Sequence, residues 1–371
     1  MKVLNLGGAG FIGSHLTARL LKEGHTVTVV DQNHDKIQEW VSQERLTVIK
    51  EDIRKPDWGM KELVQDADVV IDLIAYANPG LYVKMPLEVF QLNFVENLKI
   101  AETCVEQNKR LIQFSTCEVY GKSIASTSHE FLENPDDPAH ATFIEDRSDF
   151  ILGPVRKHRW IYASAKQLLE RVLHAYGIER NFNYTIIRPF NFIGPKIDFL
   201  PSETPGIPRV FSFFMDALLN GTPMKLVDGG HSRRCYTYID DAIEGIYQIV
   251  LNPHGFCNKQ IFNIGSPKNE ISIRGLAEMM RAIYDTQFRV PGATLSEILE
   301  VSSVEFYGQG YEDSDRRIPD ITKAQSLLGW EPRWALKQLL EATMKFADEE
   351  WRNHLNMADN SRDLSQLIAK S

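Results

Sequence analysis

The sequence predicts an α/β fold, a doubly wound parallel sheet with a second, smaller lobe interleaved towards the C-terminus. Three observations carry this expectation. Short apolar runs alternate with amphipathic stretches through the first half of the chain. A glycine-rich turn joins the first apolar run to the first amphipathic stretch. Beyond residue 190 the texture shifts to segments rich in Pro, Gly, Tyr, Asp and Arg. Strand-helix alternation requires crossover connections and hence parallel pairing with helices on both faces, while strands covered on both faces read as continuous apolar runs. Together with the glycine turn, these features specify a Rossmann-type sheet.

In chain order, the runs "VLNL" (3–6), "TVTVV" (26–30), "LTVI" (46–49), "DVVIDLI" (68–74), "RLIQF" (110–114) and "YTIIR" (184–188) are predicted strands. The clearest helical periodicities cover 11–23, 86–107 and 160–177. Residues 1–190 are therefore expected to form the dinucleotide-binding domain, with returns to it from 235–265. Segments 191–234 and 266–350 are expected to form a substrate-binding lobe. Residues 351–371 are polar with no obvious core face and read as an extension or mobile tail.

At 371 residues the chain is long enough for two lobes sharing a large core. A formal net charge of −9 argues against nucleic acid and anionic membrane surfaces as partners, because both reward basic proteins. It leaves room for a small anionic substrate if basic residues are gathered locally. The start "MKVLNLGGAG" is a strand entering a turn rather than a leader, and no run reaches the ~18 apolar residues of a membrane span. A cytoplasmic location is the expectation. Cys104, Cys117, Cys235 and Cys257 form no C-x-x-C pair and the His residues are dispersed, so reduced thiols and no metal site are expected.

"NLGGAGFIGSHL" places Gly7, Gly10 and Gly13 between the first strand and the first helix. Glycines there let the backbone approach a pyrophosphate, which then sits at the positive end of the helix. Phe11 and Ile12, at the opening of that helix, complete the expected cradle. Asp31 closes the second strand, where a carboxylate binds both ribose hydroxyls and repels a 2′-phosphate, so the cofactor is expected to be NAD. Asp52 and Ile53, after the third strand, are placed at the adenine.

"YASAK" sets Tyr162 and Lys166 four apart on one helical face. A neighbouring ammonium lowers a phenol's pKa, so Tyr162 can take a hydroxyl proton while hydride leaves the same carbon. Lys166 also belongs with the cofactor set. On its own this spacing is an ordinary helical pair; following a dinucleotide turn and "FST" it is a redox pair.

The combination of "GGAGFIG", "STCEVYG", "YASAK" and "RPFNFIGP" resembles the extended short-chain dehydrogenase/reductase family, whose members modify nucleotide sugars. Within it, "FSTCEVYGK", "ILGPVRKHRWIYASAKQLLERV", "KLVDGGHSRRCYTYIDDAIE" and "SSVEFYGQGYEDSDRRIPDI" are similar to the NAD-dependent UDP-glucuronate decarboxylase group, over roughly residues 1–350. The resemblance implies that Thr116 bonds the sugar near C4, that Tyr162 is the base and Lys166 its partner, and that Glu118 and Arg317 form the decarboxylation pair. It further implies that Asn191, Arg209, Lys225, Arg234 and Tyr311 hold the UDP moiety and that Tyr82 lies near the substrate carboxylate. The expected activity is oxidative decarboxylation of UDP-glucuronate through a 4-keto intermediate, giving UDP-xylose, UDP-apiose or both. Release of a UDP-4-keto-pentose with NADH is the alternative outcome. A homodimer paired through the helices at 86–107 and 160–177 is also implied.

The chemistry agrees with that assignment. Oxidation at C4 creates a ketone β to the C6 carboxylate, and a β-keto acid loses carbon dioxide because its electrons flow into an enolate. Arg317 would position the anion, with Glu118 adding like-charge pressure or managing a proton. Dehydratases of the family carry Asp-Glu after the Thr, to protonate a departing hydroxyl. Cys117 is a poor substitute for that Asp and weighs against dehydration, and a simple 4-epimerase needs neither Glu118 nor Arg317. Cys117 itself is either a packing residue or a proton shuttle for ring contraction. Relatives that make UDP-apiose carry a second Cys where this chain has Ala77, so the two-thiol arrangement is absent. Epimerisation or dehydration of another nucleotide sugar, and an NAD-binding scaffold without catalysis, are the competing readings; the intact Thr116, Tyr162 and Lys166 oppose the scaffold.

Overall fold

A computed structural model of the chain describes residues 1–202, 208–309 and 311–368, with side chains through residue 354. Seven strands form the main sheet: β1 (Lys2–Leu6), β2 (Thr26–Asp31), β3 (Leu46–Lys50), β4 (Val69–Asp72), β5 (Arg110–Phe114), β6 (Tyr184–Pro189) and β7 (Gln260–Ile264). Their order is β7-β6-β5-β4-β1-β2-β3, all parallel. Order reverses between β1 and β4, and at such a switch point the strands' carboxyl ends open a crevice for ligands. The central runs predicted as strands are buried on both faces, Leu6, Val29, Ile71, Ile112 and Ile186 completely so, while the edge strand β3 keeps Thr47 exposed. β7 comes from the segment expected to return to the first domain.

Helix α1 (Phe11–Lys22), α2 (Asn97–Glu106) and α3 (Trp160–Glu179) match the three periodic stretches. The stretch before α2 is helical from Pro86, but Gln91–Glu96 has π-helical geometry. Asn93 Nδ2 donates to the carbonyls of Val89 (2.8 Å) and Tyr76 (3.3 Å), and Asn97 Nδ2 donates to Ile74 O (3.0 Å). The widened turn thus ties this helix to the loop after β4 and fixes the entry to the short helix Pro79–Lys84, which carries Tyr82.

A second, four-stranded sheet lies beyond the carboxyl ends of the first: Glu270–Ser272, Arg233–Cys235, Arg316–Pro319 and Thr142–Phe143, in that order. Arg233–Cys235 and Arg316–Pro319 run parallel with Arg234 opposite Arg317. In that register both guanidinium groups leave the same face of the sheet, side by side. The last helix, α4 (Leu336–Ile368), continues through the polar segment expected to be a tail. Leu339, Leu340 and Met344 bury its first turns, and Arg352–Asp348 (2.7 Å) bridges one turn farther on. Residues 369–371 of that segment lie outside the described residues.

Candidate active site

The glycine turn is as tight as its composition suggests. Gly7 has φ +76°, and a Cβ on Gly13 would come within 2.3 Å of Gly7 O and 2.7 Å of Gly8 Cα. Only glycine brings α1 this close to β1. No side chain caps α1 and no acidic residue sits in its first turn, so the free N–H groups there face the turn ready for an anion. Asp31 Oδ2 accepts from Ala9 N at 3.1 Å, which sets the carboxylate beside the turn, and burial raises it above the usual carboxylate range. These residues fit a dinucleotide. Asp52 is engaged elsewhere: Arg54 donates to both its oxygens (2.7–3.1 Å) and to the Tyr76 hydroxyl at 3.1 Å, while Ile53 is buried in the core.

Thr116 follows β5 and caps the 3₁₀ turn Cys117–Tyr120, its hydroxyl accepting from Glu118 N at 3.1 Å. Capping points the turn so that Thr116 meets the first turn of α3 and its hydroxyl faces Tyr162. Tyr162 is buried and stacks on Tyr82, ring centroids 4.7 Å apart at 11°. Tyr82 thus supports the phenol and does not line the main cavity.

One turn down α3, Lys166 Nζ donates to Phe114 O at 3.1 Å. Burial pulls its ammonium down to about 8, against Asp72 and Glu170, which hold it up. Burial pushes the Tyr162 phenol up and Glu118 and Cys117 add to that, while Thr116, Arg159 and Arg209 oppose it.

Beside this redox group lies a cavity of about 790 Å³, lined by Glu118, Arg159, Asn191, Arg209, Lys225, Arg234, Tyr311, Asp313 and Arg317 among others. Its floor is a buried charge network. Arg159 grips Glu118 with both terminal nitrogens, one contact very short and the other 2.8 Å, and reaches Asp313 at 3.5 Å. Arg234 Nη2 donates to Asp313 Oδ2 at 2.5 Å. Arg317 Nη2 stands 3.9 Å from Glu118 Oε1, while Arg317 Nε and Nη1 are buried with no partner among the described residues. Burial pushes Glu118 up, but Arg159 and Arg317 hold its carboxyl below the usual range, so it is an anion. Three arginines against two carboxylates leave one unit of positive charge where the cavity ends.

The pair Glu118 and Arg317 is thus adjacent, but the stronger partner of Glu118 is Arg159, which sequence reasoning missed together with Asp313 and Tyr307. Arg159 immediately precedes α3 and lies three residues before Tyr162, a spacing that places both at the same helix end. Tyr307 stacks on Tyr311 (4.1 Å, 13°), four residues apart. Arg209 leans on Phe11 (5.2 Å to the ring centroid) and is paired with Asp198 at 3.0 Å, linking the glycine turn to the cavity. Asn191, with φ +43°, donates to Cys235 O at 3.3 Å. Cys117 is buried with Val119, Tyr120, Phe143 and Phe190, and burial pushes its thiol up. No group of His, Cys, Asp or Glu among the described residues could hold a metal ion, and no helix there is long and apolar enough to cross a membrane.

Known proteins share both the fold and the sequence. The chain is 44% identical over 358 residues to UDP-D-apiose/UDP-D-xylose synthase 1 of Arabidopsis thaliana, covering 93% of this chain and 91% of that protein. It is 42% identical to UDP-D-apiose/UDP-D-xylose synthase of Oryza sativa subsp. japonica, covering 100% and 94%. Among solved structures, the PbgP3 protein of Burkholderia pseudomallei superposes with a TM-score of 0.80 at 34% identity over 94% of this chain and 96% of that one. A UDP-glucuronic acid 4-epimerase of Bacillus cereus, solved with UDP-glucuronic acid and NAD, gives 0.75 at 25% identity over 94% and 99%. The profile of the NAD dependent epimerase/dehydratase family matches residues 3–265. With the glycine turn, the Thr–Tyr–Lys group and these relatives in agreement, the chain belongs to the NAD dependent epimerase/dehydratase family, the extended short-chain dehydrogenases/reductases.

Proposed function

We propose that this enzyme binds UDP-glucuronate, oxidises C4 and removes C6 as carbon dioxide, giving UDP-xylose, UDP-apiose or both. The observation that carries the reading is the Arg317 guanidinium. It is buried with Nε and Nη1 unpartnered among the described residues, 3.9 Å from the carboxylate of Glu118 and directly opposite Arg234 in the small sheet. Each orphaned donor costs about 1–3 kcal/mol, and a substrate carboxylate removes that cost. An epimerase or dehydratase acting on a neutral hexose offers nothing to these donors.

In this reading the glycine turn Gly7–Gly13 and Asp31 would hold NAD, which would supply the hydride acceptor for C4 oxidation. Thr116 and Tyr162 bind the C4 hydroxyl, and Tyr162 takes its proton. The resulting ketone is β to the carboxylate held by Arg317. The C5–C6 bond breaks, carbon dioxide leaves, and the electron pair passes to the C4 oxygen, where Tyr162 and Thr116 stabilise it. Protonation at C5 and hydride return at C4 give UDP-xylose. Glu118, fixed as an anion by Arg159, disfavours a second carboxylate at the same place and so favours its loss. Arg209, Lys225 and Arg234 supply the positive charge for the diphosphate, with Tyr311 over Tyr307 as the aromatic wall for the uridine.

Retro-aldol cleavage between C2 and C3 of the same ketone leads to UDP-apiose. The names of the plant relatives support this second product. Cys117 is placed beside the charge network and Ala77 lines the cavity where a second thiol would otherwise stand. The two lobes are proposed to divide as the sequence suggests, 1–190 with 235–265 for the cofactor and 191–234 with 266–350 for the nucleotide sugar. A cytoplasmic homodimer pairing through the helices at 86–107 and 160–177 accounts for exposed Leu87 and Leu168 there. The test is incubation with UDP-glucuronate and NAD, following carbon dioxide and identifying products by NMR; absence of carbon dioxide overturns the reading.

A further inference from the structure

Asp72 ends β4 and is completely buried, yet no cofactor or substrate role has fallen to it. In the sheet it lies between Leu6 of β1 and Gln113 of β5. One oxygen accepts from Ile74 N at 3.0 Å and the other from Gln113 Nε2 at 2.9 Å. The same Gln113 nitrogen is 3.4 Å from Phe114 O, the carbonyl to which Lys166 donates at 3.1 Å. A short chain therefore runs Asp72, Gln113 amide, Phe114 carbonyl, Lys166. No direct ion pair joins the ends. Such an arrangement costs more than a closed pair or an apolar filling, so packing alone does not explain it.

We propose that Asp72 is a positioning residue for the redox pair: its buried carboxylate, coupled through Gln113 and the shared Phe114 carbonyl, keeps the Lys166 ammonium charged and fixed beneath Tyr162. The proposal deepens the C4-oxidation reading and rests on it for its catalytic consequence. The groups packed around Asp72 are Gln113 of β5, Cys104 of α2 and Lys166 of α3. Around Lys166 they are Asp72 and Glu170. Around Tyr162 they are Glu118, Cys117, Arg159 and Arg209. Burial raises Cys104 far above its ordinary range, so this thiol stays neutral; burial also raises the Asp72 carboxyl, while Lys166, the Gln113 amide and Ile74 N–H oppose that rise.

The sign of the effect follows. Removing the Asp72 charge lets Lys166 lose its proton at lower pH. The alkaline limb of the pH profile, where Lys166 loses its proton, then moves in the acid direction. A residue that only fills space lowers the rate without moving it.

The test uses Asp72→Asn in the NAD-loaded enzyme, with Gln113→Leu as a second variant that keeps both charges and removes the bridge. Lysine-labelled protein is titrated by NMR, with the Lys166 signal assigned from Lys166→Arg, and the pH dependence of kcat with UDP-glucuronate is recorded beside it. The expected result for Asp72→Asn is a Lys166 midpoint lower by about one pH unit, with the alkaline kcat limb shifted acidwards; Gln113→Leu shifts both less in the same direction. An unmoved Lys166 midpoint in either folded variant overturns the coupling, and a moved midpoint with an unmoved alkaline limb overturns its use in catalysis. Absence of turnover in the parent would instead defeat the UDP-glucuronate reading, while the NMR titration still decides the coupling.

Discussion

The redox group and the charged cavity floor stand side by side but are built on opposite principles. Thr116, Tyr162 and Lys166 rise from the main sheet and from α3, carry one cation, and have the Thr116 hydroxyl and the Lys166 ammonium engaged within the protein. Arg159, Arg234, Arg317, Glu118 and Asp313 converge from the small sheet and the loops, carry five charges, and leave donors of Arg159 and Arg317 without a partner among the described residues. The first group, a buried phenol with an ammonium one helical turn away, is suited to a reversible hydride step. The second is complete only with an anion. This separation means that oxidation and decarboxylation can be broken independently.

The largest expected effect is at the redox group. Tyr162→Phe should reduce NAD reduction by UDP-glucuronate by ~10²–10⁴-fold and carbon dioxide release equally, since no ketone forms; stopped-flow absorbance and trapped carbon dioxide measure the two. Next come Glu118→Gln and Arg317→Ala, which should retain part of the NADH signal while losing carbon dioxide by ~10²-fold. Arg234→Ala removes a charge-assisted phosphate contact, and its KM for UDP-glucuronate should rise by ~10-fold or more with a smaller change in kcat. Turnover should also decline on the alkaline side as Lys166, pulled down to about 8 by burial, loses the proton its role requires. A rate still rising well above that pH would contradict the role. Cys117→Ser should change least: carbon dioxide release should stay close to that of the parent, because the thiol is neutral and packed among Val119, Tyr120 and Phe190. A changed ratio of pentose products by NMR would assign the sulfur to ring contraction.

The same contrast explains what the sequence disclosed. The six predicted strands and three helices were legible because each is a continuous apolar or amphipathic run, and Gly7, Gly10, Gly13, Asp31, Tyr162 and Lys166 sit at fixed offsets within those runs. Arg159 carries no such signal. Its bond to Glu118 spans 41 residues and depends on how the 3₁₀ turn after β5 meets the start of α3. Asp313 sits on a loop, and its bond to Arg234 spans 79 residues. The spacing of Tyr162 and Lys166 shows nothing of burial, a product of tertiary packing that raises the phenol and lowers the ammonium. The π-helical turn at Gln91–Glu96 was likewise invisible to periodicity, since it arises from the bonds of Asn93 to the loop after β4.

The account rests on the independence of the two steps, and single turnover of Arg317→Ala tests it most directly. Enzyme in excess over UDP-glucuronate is mixed with saturating NAD, and NADH absorbance and carbon dioxide are recorded from the same sample. The account predicts that NADH appears while carbon dioxide lags far behind it, with a UDP-linked 4-keto acid accumulating. NADH and carbon dioxide falling together, in the same proportion as in Tyr162→Phe, would contradict it.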